Sequence, residues 1–386
     1  MKKTSFLALL LGAMTFSLST VSCSDSDGNG GGSTDDNSPL TQDEITYSKW
    51  VGEDLYRSSL RLVANWGGAT TEEQNEYLEE EDYAPEEDYG EAFMSAGESG
   101  NTKYKTVVSA TTAIIAGCND IIDEVAHSKI GAPYDGSDVN YIESPHSHNS
   151  IQDFYDNIKG CLFAVNGANG AETEQENSLM KYSLEKYPTE ANAVKEAFAT
   201  ALAKIKLMKP PFVQFYSDKS AGNAIAALEV LDSKLKALSA KISAGTNDEN
   251  ELKVINKTYV EKVVRPTYEK LMAKSQDLQG ILDNLSTQEQ LNNACAVWRD
   301  ARQYWEWSEA FLFGPAHNFG IDPHIDTWPF DVKAFNTYLK NNTPLSKSEN
   351  ERIVKDAIRN GTNLTGFHAL EYLIFRNGSP RTFSSK

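Results

Sequence analysis

Near the C-terminal end the chain reads GFHALEYLIF, Gly366 to Phe375. A histidine and a carboxylate stand three residues apart in a run that otherwise reads as core. On a helix, His368 and Glu371 share one face and reach a common partner. A buried carboxylate must be protonated, paired or metal-bound. Two chemistries fit: a His–Glu hydrogen bond that holds two helices together, or part of a metal site of the kind helical bundles build from such pairs. Two ligands alone do not make a site, so the rest of the chain must supply partners.

Three other stretches offer them. In the segment Trp298–Pro315, residues Trp298, Arg302, Trp305, Glu309 and Leu312 recur at steps of three and four. They put an Arg and a Glu inside an aromatic stripe where a plain core would place Leu. This is either an amphipathic helix with a snorkelling Arg or a second carboxylate aimed at the same centre. The stretch GIDPHIDTWP, Gly320–Pro329, carries two prolines that forbid a continuous helix. Asp322, His324 and Asp326 alternate along it as along an extended segment, and Asp326 or Thr327 suits the cap of a helix starting near Pro329. In YIESPHSHNS, Tyr141–Ser150, Ser147 or Asn149 suits the cap of a helix over 151–162, while Glu143, His146 and His148 are further donors. Glu124 and His127 form another pair three apart, which reads as a solvated helix end. HExxH, GxSxG, P-loop and GxGxxG patterns are absent.

The elements that must position these residues are helices. Ile225, Leu228, Leu231, Leu235, Leu238 and Ile242 form one apolar stripe. Val107–Val125, Ala191–Met208 (stopped by Pro210-Pro211), Leu252–Leu285 and Gln288–Phe313 follow the same period, with Pro266 kinking Leu252–Leu285 near Arg265. No runs of strict alternation joined by turn dipeptides appear. The class expected is all-α, as helical bundles. The acidic stretch Thr71–Tyr89 reads as a solvated loop or frayed helix, with no EF-hand spacing for calcium. The polar break Ser243–Asn250 is the expected division between one bundle over 42–246 and a second over 247–386.

The chain has 386 residues, 40% hydrophobic and 24% charged, with a net charge of −19. That is enough for a sizeable core. The acidic balance argues against nucleic acid as a partner. Lys2 and Lys3, then the apolar Phe6–Phe16, read as a secretory signal too short to span a membrane. It ends at Thr20-Val21-Ser22-Cys23, similar to a lipobox although Thr20 replaces the usual aliphatic residue. Residues 1–23 are thus expected to be a signal ending at a lipidated Cys23, and 24–41 a flexible tether. The protein is expected in the cell envelope, lipid-anchored, on either face of the outer membrane. Cys118, Cys161 and Cys295 have no metal-site spacing and read as buried free thiols, one disulfide being the alternative.

Taken together, these motifs resemble the imelysin-like family. Its GxHxxE hallmark is met by Gly366, His368 and Glu371; its Arg-rich aromatic helix by Arg299–Gly314; its IDxxIDTWP segment by Ile321–Pro329; its ESP-containing segment by Glu143–Ser150. The resemblance covers most of the mature chain. It implies two helical bundle domains with a site at their interface, in an exported protein linked to iron uptake. In most members the GxHxxE half comes first; here it comes last, so a circular permutation is expected, with Ser243–Asn250 joining the two halves. On this reading His368, Glu371, Glu309 and Asp326 are the metal ligands, with Arg302, Ser144, Asp322, Trp328 and Gly366 orienting them or a small ligand. Carboxylate and imidazole suit iron, with zinc the alternative. Partners would be the metal ion or a small ligand, iron-uptake components of the envelope, and the membrane through the lipid alone. Two other readings stand beside it: a metallopeptidase using the same pair, and a partner-binding protein whose polar network is structural. A hydrolytic zinc site needs a third ligand, an open position and a base, and no third ligand at established spacing is visible, so the enzymatic reading is the weaker.

Overall fold

In the computed structural model, residues 38–80, 88–341 and 364–384 are described. The expected signal, Cys23 and most of the tether lie outside them. Helices begin where a side chain can satisfy their free N–H groups. Thr41 and Glu44 form a reciprocal capping box on α1 (Gln42–Asn65), and Thr106 caps α4 (Val107–Glu124). Between these lie α2 (Glu72–Glu80) and α3 (Tyr89–Met94). The acidic stretch therefore holds a helix where a loop or frayed helix was expected; residues 81–87 are outside the described set.

A π-turn, Val125–Lys129, extends α4 and is followed by α5 (Gly131–Asp135) and a 3-10 turn, Val139–Tyr141. Then come α6 (Ser150–Asn166), α7 (Leu179–Lys186), α8 (Pro188–Lys206), the short α9 (Phe212–Phe215) and α10 (Lys219–Ala244). The kink expected near Arg265 is a second π-turn, Val260–Val264, between α11 (Glu249–Tyr259) and α12 (Arg265–Asp283). Next are α13 (Gln288–Ser308), a 3-10 turn Glu309–Phe311, α14 (Pro315–Asn318), α15 (Asp322–Ile325) and α16 (Val332–Asn341). Last is α17 (Gly366–Ile374), which runs into a hairpin of β1 (Phe375–Arg376) and β2 (Ser379–Pro380). Asn377 and Gly378 turn that hairpin with positive φ at both positions.

The helices pack as two groups. One comprises α4, α6, α8 and α10; the other α1, α12, α13 and α17. The division expected at 246/247 does not separate them, because α1 packs along α12. Its buried ladder Tyr47, Val51, Leu55 and Leu62 needs a partner face, and a periodic stripe does not say which face that is. The first and last described segments meet: Leu40 N–H donates to Thr382 O at 3.1 Å, and Arg381 pairs with Glu44 at 2.7 Å.

Two glycines let the groups approach. A Cβ on Gly117 would lie 2.3 Å from Ala310 O, and one on Gly160 would lie 2.3 Å from Trp307 O. The end of α13 therefore rests on the bare backbones of α4 and α6, which leaves it close enough to turn its carboxylates inward. Gly160→Ala is expected to destabilise the protein by about 1–3 kcal/mol in denaturant unfolding, because the obstacle is backbone. Gly280→Ala, on an exposed part of α12 with nothing within 4 Å of the added methyl, should stabilise by about 0.5–1 kcal/mol. Equal effects at the two sites would contradict this packing.

Candidate functional site

Where α13 meets the other group, charge is buried. Arg302 is fully buried, with Phe367 under its guanidinium at 5.3 Å. It pairs with Asp326, with Glu143 at 2.8 Å and with Glu306 at 2.5 Å, and lies 3.8 Å from Asp153. Lys129, turned inward at the end of the first π-turn, reaches Glu309 at 2.8 Å and Glu143 at 3.2 Å. Asn157 donates to both Glu306 (2.5 Å) and Glu309 (2.8 Å). Trp305 donates to Asp326 at 2.6 Å.

His368 and Glu371 serve different sides of this cluster. Glu371 Oε1 accepts from His146 N–H, Ser147 N–H and Ser147 Oγ at 2.7–2.8 Å. That carboxylate holds a turn in which Ser144 and His148 adopt positive φ, a conformation that costs non-glycine residues free energy. Its Oε2 lies 3.7 Å from His368 Nδ1. His368 Nε2 faces the opposite way, 2.8 Å from Asp326 and 3.8 Å from Glu143, with the Trp328 ring 4.4 Å from the imidazole. Neither ring nitrogen has an aligned hydrogen bond, nor does Glu371 Oε2.

Local backbone places these groups. Gly366 has φ 75°, and a Cβ there would lie 2.3 Å from Ile325 O, so only glycine lets α17 start against the segment bearing Asp326. Asp54 on α1 accepts from Thr365 at 2.9 Å and contacts His324 Nδ1 at 3.2 Å, fastening both segments to one helix. Burial alone would raise the Asp54 carboxyl, but the His324 contact and Thr365 bond hold it below its ordinary value.

Six buried carboxylates (Glu143, Asp153, Glu306, Glu309, Asp326, Glu371) face three buried bases (Lys129, Arg302, His368). Three carboxylates are therefore in surplus, and their titration divides in the same way. Burial favours the protonated acid throughout. Lys129, Arg302 and His368 overcome it at Glu143, held at about 2; Arg302 and His368 overcome it at Asp326, held far down. The nearby His368 ring, the His146 charge and the Ser147 bond keep Glu371 low. At Asp153 burial and the Glu143 charge prevail, and it rises to about 7; Glu306 is pushed well up by burial and the Glu309 charge, and Glu309 by burial and the Glu143 charge. Burial would deprotonate His368, but Asp326 raises it to about 10. The three lowered acids thus match the three bases in number, and the other three are the ones shifted toward the protonated form.

Several expectations meet here. His368, Glu309, Asp326 and Arg302 come together, with Trp328 on the imidazole. Arg302 does not snorkel; it is enclosed. Ser144 reaches the cluster by donating to Asp153. Glu371 binds the turn rather than facing Asp326. Asp322 lines an adjoining cavity, and the stretch Asp322–Ile325 is a short helix, not an extended segment. Asp326 is no cap: Asp331 caps α16 through Ala334 N–H at 2.8 Å. Neither Ser147 nor Asn149 caps α6 with its side chain; they bind Glu371 and Asp153. His146 and His148 sit against Tyr372 and Gly378 instead. Lys129, Asp153, Asn157 and Glu306 were not anticipated; Glu306, four residues after Arg302 and three before Glu309, had a readable spacing. The three thiols are free and buried.

The chain matches the family model described as imelysin, peptidase M75, over residues 26–242 and 264–385. The iron-regulated protein A of Synechococcus elongatus is 34% identical over 125 residues, which are 32% of this chain and 31% of that protein. That alignment spans about a third of the relative's length. The crystal structure of an imelysin peptidase from Bacteroides ovatus has a TM-score of 0.77 and 27% identity, covering 89% of this chain and 96% of that one.

Two outcomes test the charge balance. Arg302→Met leaves Glu143, Asp326 and Glu306 without their shared cation and should destabilise by about 3–5 kcal/mol. His368 keeps its proton up to about 10 when folded and loses it near 6.5 when unfolded. Its contribution is therefore complete below pH 6.5 and lost as pH rises toward 10. The stability difference between the wild type and His368→Gln should shrink across that window; a difference constant from pH 6 to 10 would rule out a protonated His368.

Proposed function

Since the chain belongs to the imelysin family, we propose that it binds a divalent cation, ferrous iron foremost, in the buried cluster around His368. It would do so as a lipid-anchored envelope protein of iron uptake or homeostasis. The observation that carries this reading is the surplus of buried carboxylates beside an imidazole with no aligned hydrogen bond. Ligand atoms of Glu143, Asp326 and His368 lie within 4.8 Å of one another, as do those of Glu306, Glu309 and Asp326. Hard oxygen donors with one imidazole suit iron, manganese or zinc. Asp326, Glu143 and His368 Nε2, the last after giving up its proton, would hold the ion. Glu371, on the Nδ1 side of the ring, would orient the imidazole, as outer carboxylates do for metal-bound histidines. Glu306 and Glu309 would give up protons as the ion's charge replaces them. Zinc remains the alternative ion.

The name of the relative from Synechococcus supports the link to iron, and the lipobox-like Cys23 supports the anchor. The permuted order is supported by the contact between Leu40 and Thr382, which brings the first and last described segments together, and by the interval between the two matched stretches, which overlaps the polar break. Peptide hydrolysis, the activity named for the Bacteroides structure, fits less well. The ligand atoms of Glu143, Asp326 and His368 are enclosed, and a peptide bond would have to reach an ion held among them.

Anaerobic calorimetry with ferrous iron tests the proposal, with elemental analysis of the desalted protein beside it. About one ion per chain is expected, with net proton release seen as a heat that depends on the buffer. Affinity should fall as pH drops from 7.5 to 5.5, because protons compete for His368, Glu306 and Glu309. His368→Ala/Asp326→Asn should lose at least tenfold in affinity while keeping the far-ultraviolet spectrum of a helical protein. Iron uptake equal in wild type and variant, or none in either, would sink the proposal.

A further inference from the structure

Beside the cluster lies a cavity of 110 Å³, room for about three or four waters at ~30 Å³ each. Its lining includes five carboxylates, Glu124, Glu143, Glu309, Asp322 and Asp326, and one cation, Lys129. The carboxylates are graded by depth. Glu124, at the end of α4, is exposed; Asp322 is half-buried; Glu143 and Glu309 are buried. Asp326, at the far wall, lies 2.8 Å from His368 Nε2.

Inside the cluster, carboxylates are engaged by Arg302, Lys129, Asn157 and Trp305. The outer two are not: among the described residues, neither the Glu124 nor the Asp322 carboxylate has a hydrogen bond or ion pair. Deeper in, Glu143 is 2% exposed, and its Oε2 accepts no hydrogen bond; Lys129 Nζ approaches it to 3.2 Å without hydrogen-bond alignment. An acidic passage with unengaged carboxylates at its mouth, and deeper in a buried carboxylate oxygen that accepts no hydrogen bond, is poorly suited to any anion or apolar group. It suits a cation that still carries part of its water. A mouth of one charge sign with low-dielectric walls also concentrates counter-ions.

We infer that Glu124 and Asp322 form an outer capture site for a hydrated divalent cation, from which the ion passes along the cavity to Asp326 and His368. The inference rests on the proposed cation site and adds a second, kinetic station to it. The outer carboxylates would bind through water, while Glu143 and Asp326 replace that water inside. Lys129, held between Glu143 and Glu309, stands beside the route and would shift toward Glu309 as Glu143 engages the ion.

Stopped-flow mixing with ferrous iron under argon tests this, followed by tryptophan emission, since Trp305 and Trp328 contact Asp326 and His368. Glu124→Gln/Asp322→Asn should lower the association rate about tenfold and flatten its dependence on ionic strength, with saturation still near one ion per chain. A charge control, Glu185→Gln/Glu196→Gln, alters two exposed carboxylates outside the cavity by the same amount. It should change the rate by no more than about twofold. Wild-type rate and salt dependence in the Glu124/Asp322 variant, or an equal loss in the control, would overturn the capture site while leaving the inner site standing. No uptake by the wild type would overturn both, and uptake unaffected by His368→Ala/Asp326→Asn would overturn the inner site alone.

Discussion

The arrangement of this protein depends on burying a guanidinium. Arg302 cannot shed its proton in a protein interior, so a fully enclosed position obliges the fold to bring carboxylates to it from several directions. Glu306 comes from its own helix, Asp326 from the segment after α15, Glu143 and Asp153 from the opposite group of helices. The desolvation of so many charges is offset only if the geometry is nearly complete. That requirement explains features that otherwise look unrelated. Gly117 and Gly160 admit the end of α13 at a spacing no Cβ allows. Gly366 admits the start of α17 against Ile325. Asp54 ties His324 and Thr365 to α1, so the segments carrying Asp326 and His368 share one fixed reference.

The same constraint sets the chemistry. Had the fold supplied only three carboxylates to its three bases, the cluster would be a closed ionic core, useful for specificity and little else. It supplies six, and burial with neighbouring negative charge shifts the surplus toward the protonated form. Under the proposed cation site, this over-supply of acid is what an incoming ion would exchange protons with, and the neighbouring cavity would be its way in.

Much of this was legible in the sequence, and the reasons differ by residue. Helices were readable because α10 or α13 repeats its apolar residues at a fixed period. Arg302 and Glu309 were readable because a charge within an aromatic stripe breaks the pattern a core would follow. Lys129 was not readable: it follows an ordinary amphipathic helix, and only the π-turn, which needs one extra residue per turn, aims it inward. Asp153 and Asn157 looked like the polar positions of any surface helix; their burial follows from the packing of α6 on α13, a long-range contact. The grouping of α1 with α12 was hidden for the same reason. A stripe specifies that a face is buried, not against what.

The spacing of His368 and Glu371 invited a single role for both, since three residues on a helix put two side chains on one face. In the structure that face meets two different neighbours. Glu371 spends one oxygen on three donors of the 146–147 turn, which fixes Ser144 and through it Asp153, and steadies Glu143 just upstream. His368 turns its Nε2 to Asp326. The pair is therefore a joint: the carboxylate grips a turn from one half of the chain, and the imidazole reads a carboxylate from the other. Because neither contact depends on which half is translated first, the joint is indifferent to the order of the halves. What it requires is a glycine at 366 and a turn that presents two adjacent N–H groups.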